Sequence, residues 1–285
     1  MKDLYGREIV KDVLIRDEFL EPPFSILDTR SGSWQKRKRQ WNKLGIKSEI
    51  GRDSPVLHIG IPTKADAGKI PNANYTSIFD PALTELMYHW FCPKEGKILD
   101  PFAGGSVRGI VANYLGYKYT GIDIREEQVL SNQEQASTII PDRQPMWLIG
   151  DSNKVLDDPA LGKFDMIFSC PPYADLEVYS KLEGDISNMP YNKFKEAYGS
   201  IIKKSCSKLK DGGYAVFVVG EVRDKNGNYI GFVPDTVNAF KDAGMHFYNE
   251  AILINSFGSA AIRARGNMKS GKLVKVHQNI LVFRK

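Results

Sequence analysis

Two short runs of residues in this chain have the types and spacing to do chemistry. Asp100-Pro-Phe-Ala-Gly-Gly-Ser106 is the first and Ser169-Cys-Pro-Pro-Tyr173 the second. In the first, Gly104 and Gly105 let the backbone approach a ligand with no Cβ in the way. A helix opening near Ser106 would aim its free N–H groups at that ligand. Pyrophosphate-binding turns use the same device with G-x-G-x-x-G spacing. That spacing is absent here, and an acid, Asp100, precedes the turn, which suits the amino and carboxylate groups of an amino-acid-like ligand. Gly121-Ile-Asp-Ile124 sets a second carboxylate, Asp123, where ribose hydroxyls can donate to it. Gly150-Asp151-Ser152 offers an acceptor to an exocyclic amine such as that of adenine. Amino acid, ribose and adenine together describe S-adenosylmethionine. The expected contacts are Asp100, Phe102, Ala103, Gly104, Gly105, Asp123, Ile124, Asp151 and Ser152. Singly, each is an ordinary turn glycine, loop aspartate or helix cap; three in order, each closing a strand-like run, point to a cofactor.

The second run suits a flat aromatic ring with an amino group at its rim. Pro171 and Pro172 have no N–H and leave carbonyls as the available polar atoms, and Tyr173 offers a ring for stacking. Cys170 is a weak acceptor; at a strand end a cysteine is also an ordinary small buried residue.

These runs need strands behind them. Gly96-Lys-Ile-Leu-Asp100 precedes the first and Phe164-Asp-Met-Ile-Phe-Ser169 the second. From Tyr75 onward helix and strand patterns alternate. A helix over Pro81–Trp90 is capped by Asp80 and a strand covers Lys97–Asp100. A helix follows over Ser106–Leu115, then a strand at Lys118–Asp123 and a helix at Arg125–Thr138. Strands follow at Met146–Ile149 and Met166–Phe168, a long helix at Tyr191–Leu209, and an apolar strand at Tyr214–Val219. A helix at Pro234–Ala243 precedes strands near Phe247–Asn255 and Asn279–Phe283. The expected fold is α/β and Rossmann-like, a mostly parallel sheet with helices on both faces. The last two strands, with no helix expected between them, should pair antiparallel. The stretches Ala174–Met189, which is acidic, and Phe257–Val276, which is basic, read as long loops. Glu221 either lines the site or begins a loop.

The totals narrow the class. With 285 residues, 42% hydrophobic and 26% charged, the chain is ordinary for a globular protein. No apolar run is long enough to span a membrane and no apolar signal segment opens the sequence, so the expectation is a cytoplasmic protein with no membrane partner. Three scattered cysteines and four histidines show no metal spacing, and no metal is expected. Nothing in the sequence bears on oligomeric state. The net charge of +5 is unevenly spread. Residues 1–75, punctuated by Pro22, Pro23, Pro55, Pro62 and Pro71, read as a basic N-terminal segment, a candidate nucleic-acid-contacting appendage to a domain over 76–285. Arg30 to Arg52 holds eight Lys/Arg against one acid, Glu49. It is either a solvated face or a phosphate-contacting patch with Trp34 and Trp41 free to stack on bases. The candidate nucleic-acid contacts are Lys36, Arg37, Lys38 and Arg39, with Arg263, Arg265 and Lys269 in the late loop.

Asp100-Pro-Phe-Ala-Gly and Cys-Pro-Pro-Tyr173 resemble the cofactor and catalytic motifs of the amino-directed DNA methyltransferases, which methylate adenine N6 or cytosine N4 with S-adenosylmethionine. The resemblance covers about Tyr75 to Lys285, including the closing Lys275-Val-His-Gln-Asn-Ile-Leu-Val-Phe283. With the N-terminal Pro-Pro-Phe-Ser-Ile-Leu-Asp and Trp-Gln-Lys-Arg-Lys segments it is most similar to enzymes of phages and prophages. It implies base flipping out of double-stranded DNA. It also implies acceptors at Cys170 and the Pro171 carbonyl, a turn fixed by Pro172, and Tyr173 stacked on the base. The exocyclic amine is a poor nucleophile because its lone pair is conjugated into the ring. Acceptors on its N–H groups oppose that delocalisation, and alignment in a dry pocket does the rest. Two positions depart from the pattern. Cys170 replaces the usual Asp, Asn or Ser, so that either the Pro171 carbonyl carries more of the work, or Ser169 or Asp175 substitutes, or the activity is slow. Ser106 stands at the second glycine of the cofactor motif. The alternatives are an RNA amino-methyltransferase, a cytosine-5 methyltransferase with Cys170 as nucleophile, and a non-catalytic nucleic-acid-binding module that keeps the fold.

Overall fold

The computed structural model describes residues 15–46, 79–173, 182, 184–258 and 260–285. Among them, eight strands form one sheet in the order β1-β7-β8-β6-β5-β2-β3-β4. The strands are β1 (Ile26–Asp28), β2 (Lys97–Asp100), β3 (Lys118–Asp123), β4 (Met146–Ile149), β5 (Phe164–Ser169), β6 (Leu209–Val219), β7 (His246–Ile254) and β8 (His277–Arg284). From β4 to β6 the neighbours are parallel. β8 is antiparallel to both β6 and β7, and β1 adds a parallel edge beyond β7. The mostly parallel, Rossmann-like sheet with its antiparallel C-terminal pair is as expected.

Alternation along the strands decides which residues meet which layer. Ile98, Met166, Phe168, Val216 and Val218 face one core, shared with α3 (Pro81–Phe91), α4 (Val107–Tyr114) and α5 (Glu126–Ile139). Leu99, Ile167, Ala215, Phe217 and Val219 face the other, shared with α7 (Tyr191–Lys208) and α8 (Phe232–Asp242). Asp80 caps α3 as expected, accepting from the Ala82 N–H at 2.9 Å with Pro81 in the first turn.

Residues 15–46 share this sheet and core. Beyond α1 (Ile15–Phe19) and β1 comes α2 (Gly32–Lys43), packed on α3. Trp34 and Trp41 lie one above the other at a seven-residue spacing, on one helix face. They are 2% and 6% exposed, within the core that holds Leu83 and Ile110. Their indole N–H groups donate to Asp80 at 3.2 Å and Glu85 at 2.7 Å. Neither ring is free to stack on a base, which corrects that expectation. Lys47 and Arg52 of the basic run lie outside the described residues.

The late stretch also departs from expectation. Ala260–Lys269 forms α9 where a loop was expected, in a segment rich in alanine and arginine, both strong helix formers. Ala260 is its one buried residue among those described. β7 and β8 still pair antiparallel because this helix does not cross the sheet. Within Ala174–Met189, residues 174–181 and 183 lie outside the described residues, and Asp185 caps a single turn over Ile186–Asn188.

Candidate active site at the sheet switch point

The chain runs outward from β2 through β3 to β4, then returns to β5 on the other side of β2. Such a reversal opens a crevice beyond the carboxyl ends of the strands, where doubly wound sheets bind ligands. Both sequence runs end at this crevice, on paired neighbours: Ile98 faces Met166 and Leu99 faces Ile167. A cavity of about 640 Å³ fills it, within the usual size range for cofactor sites. Phe102, Gly104, Gly105, Asp123, Ile124, Asp151, Ser152, Cys170, Pro171, Pro172 and Tyr173 all line it.

Gly104 takes φ +52°, the left-handed region, and its N–H donates to Asp123 at 2.9 Å. Asp123 also accepts from the Arg125 N–H at 2.9 Å. Burial raises its carboxyl above the ordinary value of 3.8, against the pull of Arg125 and of its two backbone donors. Gly121 has to be glycine, because a Cβ there would stand 2.7 Å from the Tyr119 ring and 2.8 Å from Ala103. That approach presses β3 against the glycine turn. Asp151 caps the short helix α6 (Ser152–Val155), accepting from the Asn153 N–H at 2.8 Å. The Ser152 hydroxyl donates to the Pro101 carbonyl at 2.6 Å. Ser152 thus shapes the wall by holding the turn.

Asp100 and Ala103 do not line the cavity, contrary to expectation. Both are fully buried. The Asp100 carboxylate accepts from Arg108 Nε at 2.5 Å, Tyr119 OH at 2.7 Å, Ser169 OH at 2.5 Å and the Phe102 N–H at 3.2 Å. Its lone pairs are spent within the protein, so it stands behind the cavity wall. Arg108, 5% exposed, also donates to the Phe102 and Ala103 carbonyls at 2.7 and 2.8 Å. It is the residue that sequence reasoning missed. Its signal was an arginine within the apolar run Val107-Arg-Gly-Ile-Val111, where only a buried partner could hold it.

At the second turn, the Tyr173 ring meets Phe232 edge-on, with centroids 5.6 Å apart. Gln278 Nε2 donates to its hydroxyl at 3.4 Å. Cys170 is a half-buried cysteine on the cavity wall. Ser169 cannot substitute for it as an acceptor toward a ligand, since its hydroxyl is fully buried on Asp100. Asp175 lies outside the described residues. Glu221 is a helix anchor, accepting from the Phe232 N–H at 2.7 Å at the start of α8.

Of the basic run, Lys36 and Arg39 are exposed. Arg37 pairs with Glu85 at 2.9 Å, and Lys38, on the cavity rim, pairs with Asp80 at 3.0 Å. Arg263, Arg265 and Lys269 are exposed on α9, which follows Asn255 and Ser256 of the cavity wall. No group of three or more potential metal ligands occurs among the described residues. No helix among them is long and apolar enough to cross a membrane.

Fold and site together define a Rossmann-like α/β domain with a cavity at its switch point and the glycine turn and the Pro-Pro-Tyr turn in its wall. No protein-family model matches the chain. A stretch of 89 residues, 31% of this chain, is 28% identical to the Type II methyltransferase M.SfiI of Streptomyces fimbriatus. That stretch spans a fifth of the relative's length. Among solved structures, TrmN of Thermus thermophilus matches 73% of this chain and 49% of its own at 14% identity and a TM-score of 0.49. TehB of Haemophilus influenzae matches 74% and 64% at 19% identity and 0.46. The magnesium protoporphyrin IX methyltransferase of Synechocystis with bound SAM matches 68% and 71% at 14% and 0.42. The functional reading rests on the chain's own residues.

Proposed function

We propose that this chain transfers a methyl group from S-adenosylmethionine to an exocyclic amine, adenine N6 or cytosine N4, of a base flipped from double-stranded DNA. The observation that carries this reading is the convergence of a glycine turn and a Pro-Pro-Tyr turn in one cavity, from the neighbouring strands β2 and β5. The local match to a Type II methyltransferase supports it.

The residues fit the cofactor. Asp123 offers its carboxylate to ribose hydroxyls, Asp151 offers an acceptor to the adenine amine, and Gly104 and Gly105 let backbone approach. The methionine end has to be held by groups other than Asp100. When bound, S-adenosylmethionine supplies an electrophilic methyl on a sulfonium. The Pro171 carbonyl accepts a hydrogen bond from the amine and opposes its conjugation, with the Cys170 thiol a weak second acceptor. Tyr173 stacks on the base.

The direct test is incubation with methyl-labelled cofactor and DNA or RNA, then digestion to nucleosides and mass spectrometry. N6-methyladenine or N4-methylcytosine from DNA is the expected product. Label in RNA alone would move the substrate to that polymer. 5-Methylcytosine would make Cys170 a nucleophile, and no label would leave a binding module.

Asp123→Ala should weaken S-adenosylhomocysteine binding by about 1.5–3 kcal/mol in calorimetry, the scale of a lost charged hydrogen bond. The raised carboxyl of Asp123 adds a pH signature. Only the ionised form accepts from both ribose hydroxyls, so affinity should begin to fall at a pH above the ordinary carboxylate value as pH is lowered. Protonation relieves the cost of burying the charge, so the same titration stabilises the fold as it weakens binding. Full-strength binding by the variant would refute this assignment.

DNA affinity should fall steeply with salt, because each phosphate contact releases a counterion. Neutralising Lys36 and Arg39, or Arg263, Arg265 and Lys269, should flatten the salt slope by up to about one unit per lost contact. Neutralising Arg37 and Lys38 should instead loosen α2 from α3, since their charges are committed to Glu85 and Asp80. An unchanged slope in both exposed sets would make these residues a solvated face.

A further inference from the structure

We infer that the buried Asp100 carboxylate is a latch that fixes the cofactor turn and the Cys-Pro-Pro-Tyr turn relative to each other, with Ser169 as the positioning residue that joins the second turn to it. Four donors from four places in the fold meet on this one side chain. Phe102 belongs to the cofactor turn, Arg108 to α4, Tyr119 to β3 and Ser169 to the end of β5. Arg108 extends the connection by holding the Phe102 and Ala103 carbonyls. Ser169 is the one member on the strand that carries the Pro-Pro-Tyr turn, and the next residue is Cys170 on the cavity wall. Its hydroxyl gives the turn a side-chain tie to the cofactor turn across the β2–β5 gap, at 2.5 Å and with no exposure to solvent. A charge-assisted bond of that length is stiff. Two turns that hold a methyl donor and a methyl acceptor need such a tie, because in-line transfer tolerates little misplacement.

Three variants separate this role from plain stability. Ser169→Ala cuts the tie and leaves the Asp100–Arg108 pair in place. Ser169→Thr keeps the hydroxyl. Tyr119→Phe removes another bond to the same carboxylate without touching β5. The first readout is labelling of Cys170 by a maleimide in the absence of cofactor. It is specific, because Cys92 and Cys206 are buried and burial pushes both thiols up to about 12. Ser169→Ala should label at least about fivefold faster than wild type, Tyr119→Phe within about twofold, and Ser169→Thr should restore the wild-type rate. The second readout is methyl transfer, which rests on the function proposed above. kcat should fall about 10- to 100-fold in Ser169→Ala, while S-adenosylhomocysteine affinity stays within about twofold. Equal labelling in Ser169→Ala and wild type, or an equal rise in Tyr119→Phe, would overturn the inference. So would full kcat in Ser169→Ala when the wild type is active. A wild type inactive on every nucleic acid, with the labelling pattern as stated, would remove the proposed function and leave the latch standing.

Discussion

Arg108→Met should lower the unfolding free energy by about 3–5 kcal/mol, the largest stability effect expected from a single change at this site. The variant keeps an unbranched stem as far as the Nε position but removes the guanidinium that faces Asp100 at 2.5 Å, with the two side chains 6% and 0% exposed. A buried carboxylate would be left with only neutral donors, and the Phe102 and Ala103 carbonyls would lose theirs. Urea unfolding of the wild type, Arg108→Met and the double variant Arg108→Met/Asp100→Asn measures this. The double variant should recover part of the loss, because no charge is then stranded and the asparagine oxygen still accepts from Tyr119 or Ser169. A loss under about 1 kcal/mol in Arg108→Met, or no recovery in the double variant, would show that the pair does not hold the turn.

The largest effect on activity is expected at Tyr173. Base stacking on an aromatic ring is worth about 1–3 kcal/mol, so Tyr173→Ala should lose roughly 5- to 150-fold in kcat/KM for DNA. Cofactor affinity should be nearly unchanged. Tyr173→Phe keeps the ring and its edge contact with Phe232 and gives up the long bond from Gln278, so it should stay close to wild type. Cys170→Ser should retain or raise activity, because a hydroxyl is the better acceptor. The opposite pattern, a dead Cys170→Ser with DNA containing 5-fluorocytosine trapping a covalent complex, would assign the thiol as a nucleophile. Full activity in Tyr173→Ala would remove the stacking role.

Much of this architecture is local and was legible. Apolar strand-like runs at Lys97–Asp100, Phe164–Ser169 and Tyr214–Val219, alternating with helical patterns, indicated a mostly parallel sheet with helices on both faces. The glycines, prolines and aspartates at the strand ends act through their own backbone geometry, so Gly104, Asp123, Asp151 and the Pro-Pro-Tyr turn stand on the cavity wall as expected.

Most of what failed depended on a partner distant in sequence. Trp34 and Trp41 read as free because their neighbours are charged. Their seven-residue spacing mattered more, and Asp80 and Glu85, which satisfy both indoles, lie far along the chain. α9 read as a loop because it has no buried face to leave a periodic pattern; its helicity follows from residue propensity alone. Asp100 read as a ligand because an acid before a glycine turn has no evident internal use. A carboxylate at a strand end points toward whichever donors folding delivers, and α4, β3 and β5 delivered Arg108, Tyr119 and Ser169. Residue type and spacing by themselves determined which edge of which sheet holds the site and which turns shape it. Only the tertiary structure decided which polar groups remain there for a ligand, because buried groups must pair with one another first and the pairing partners come from different parts of the chain.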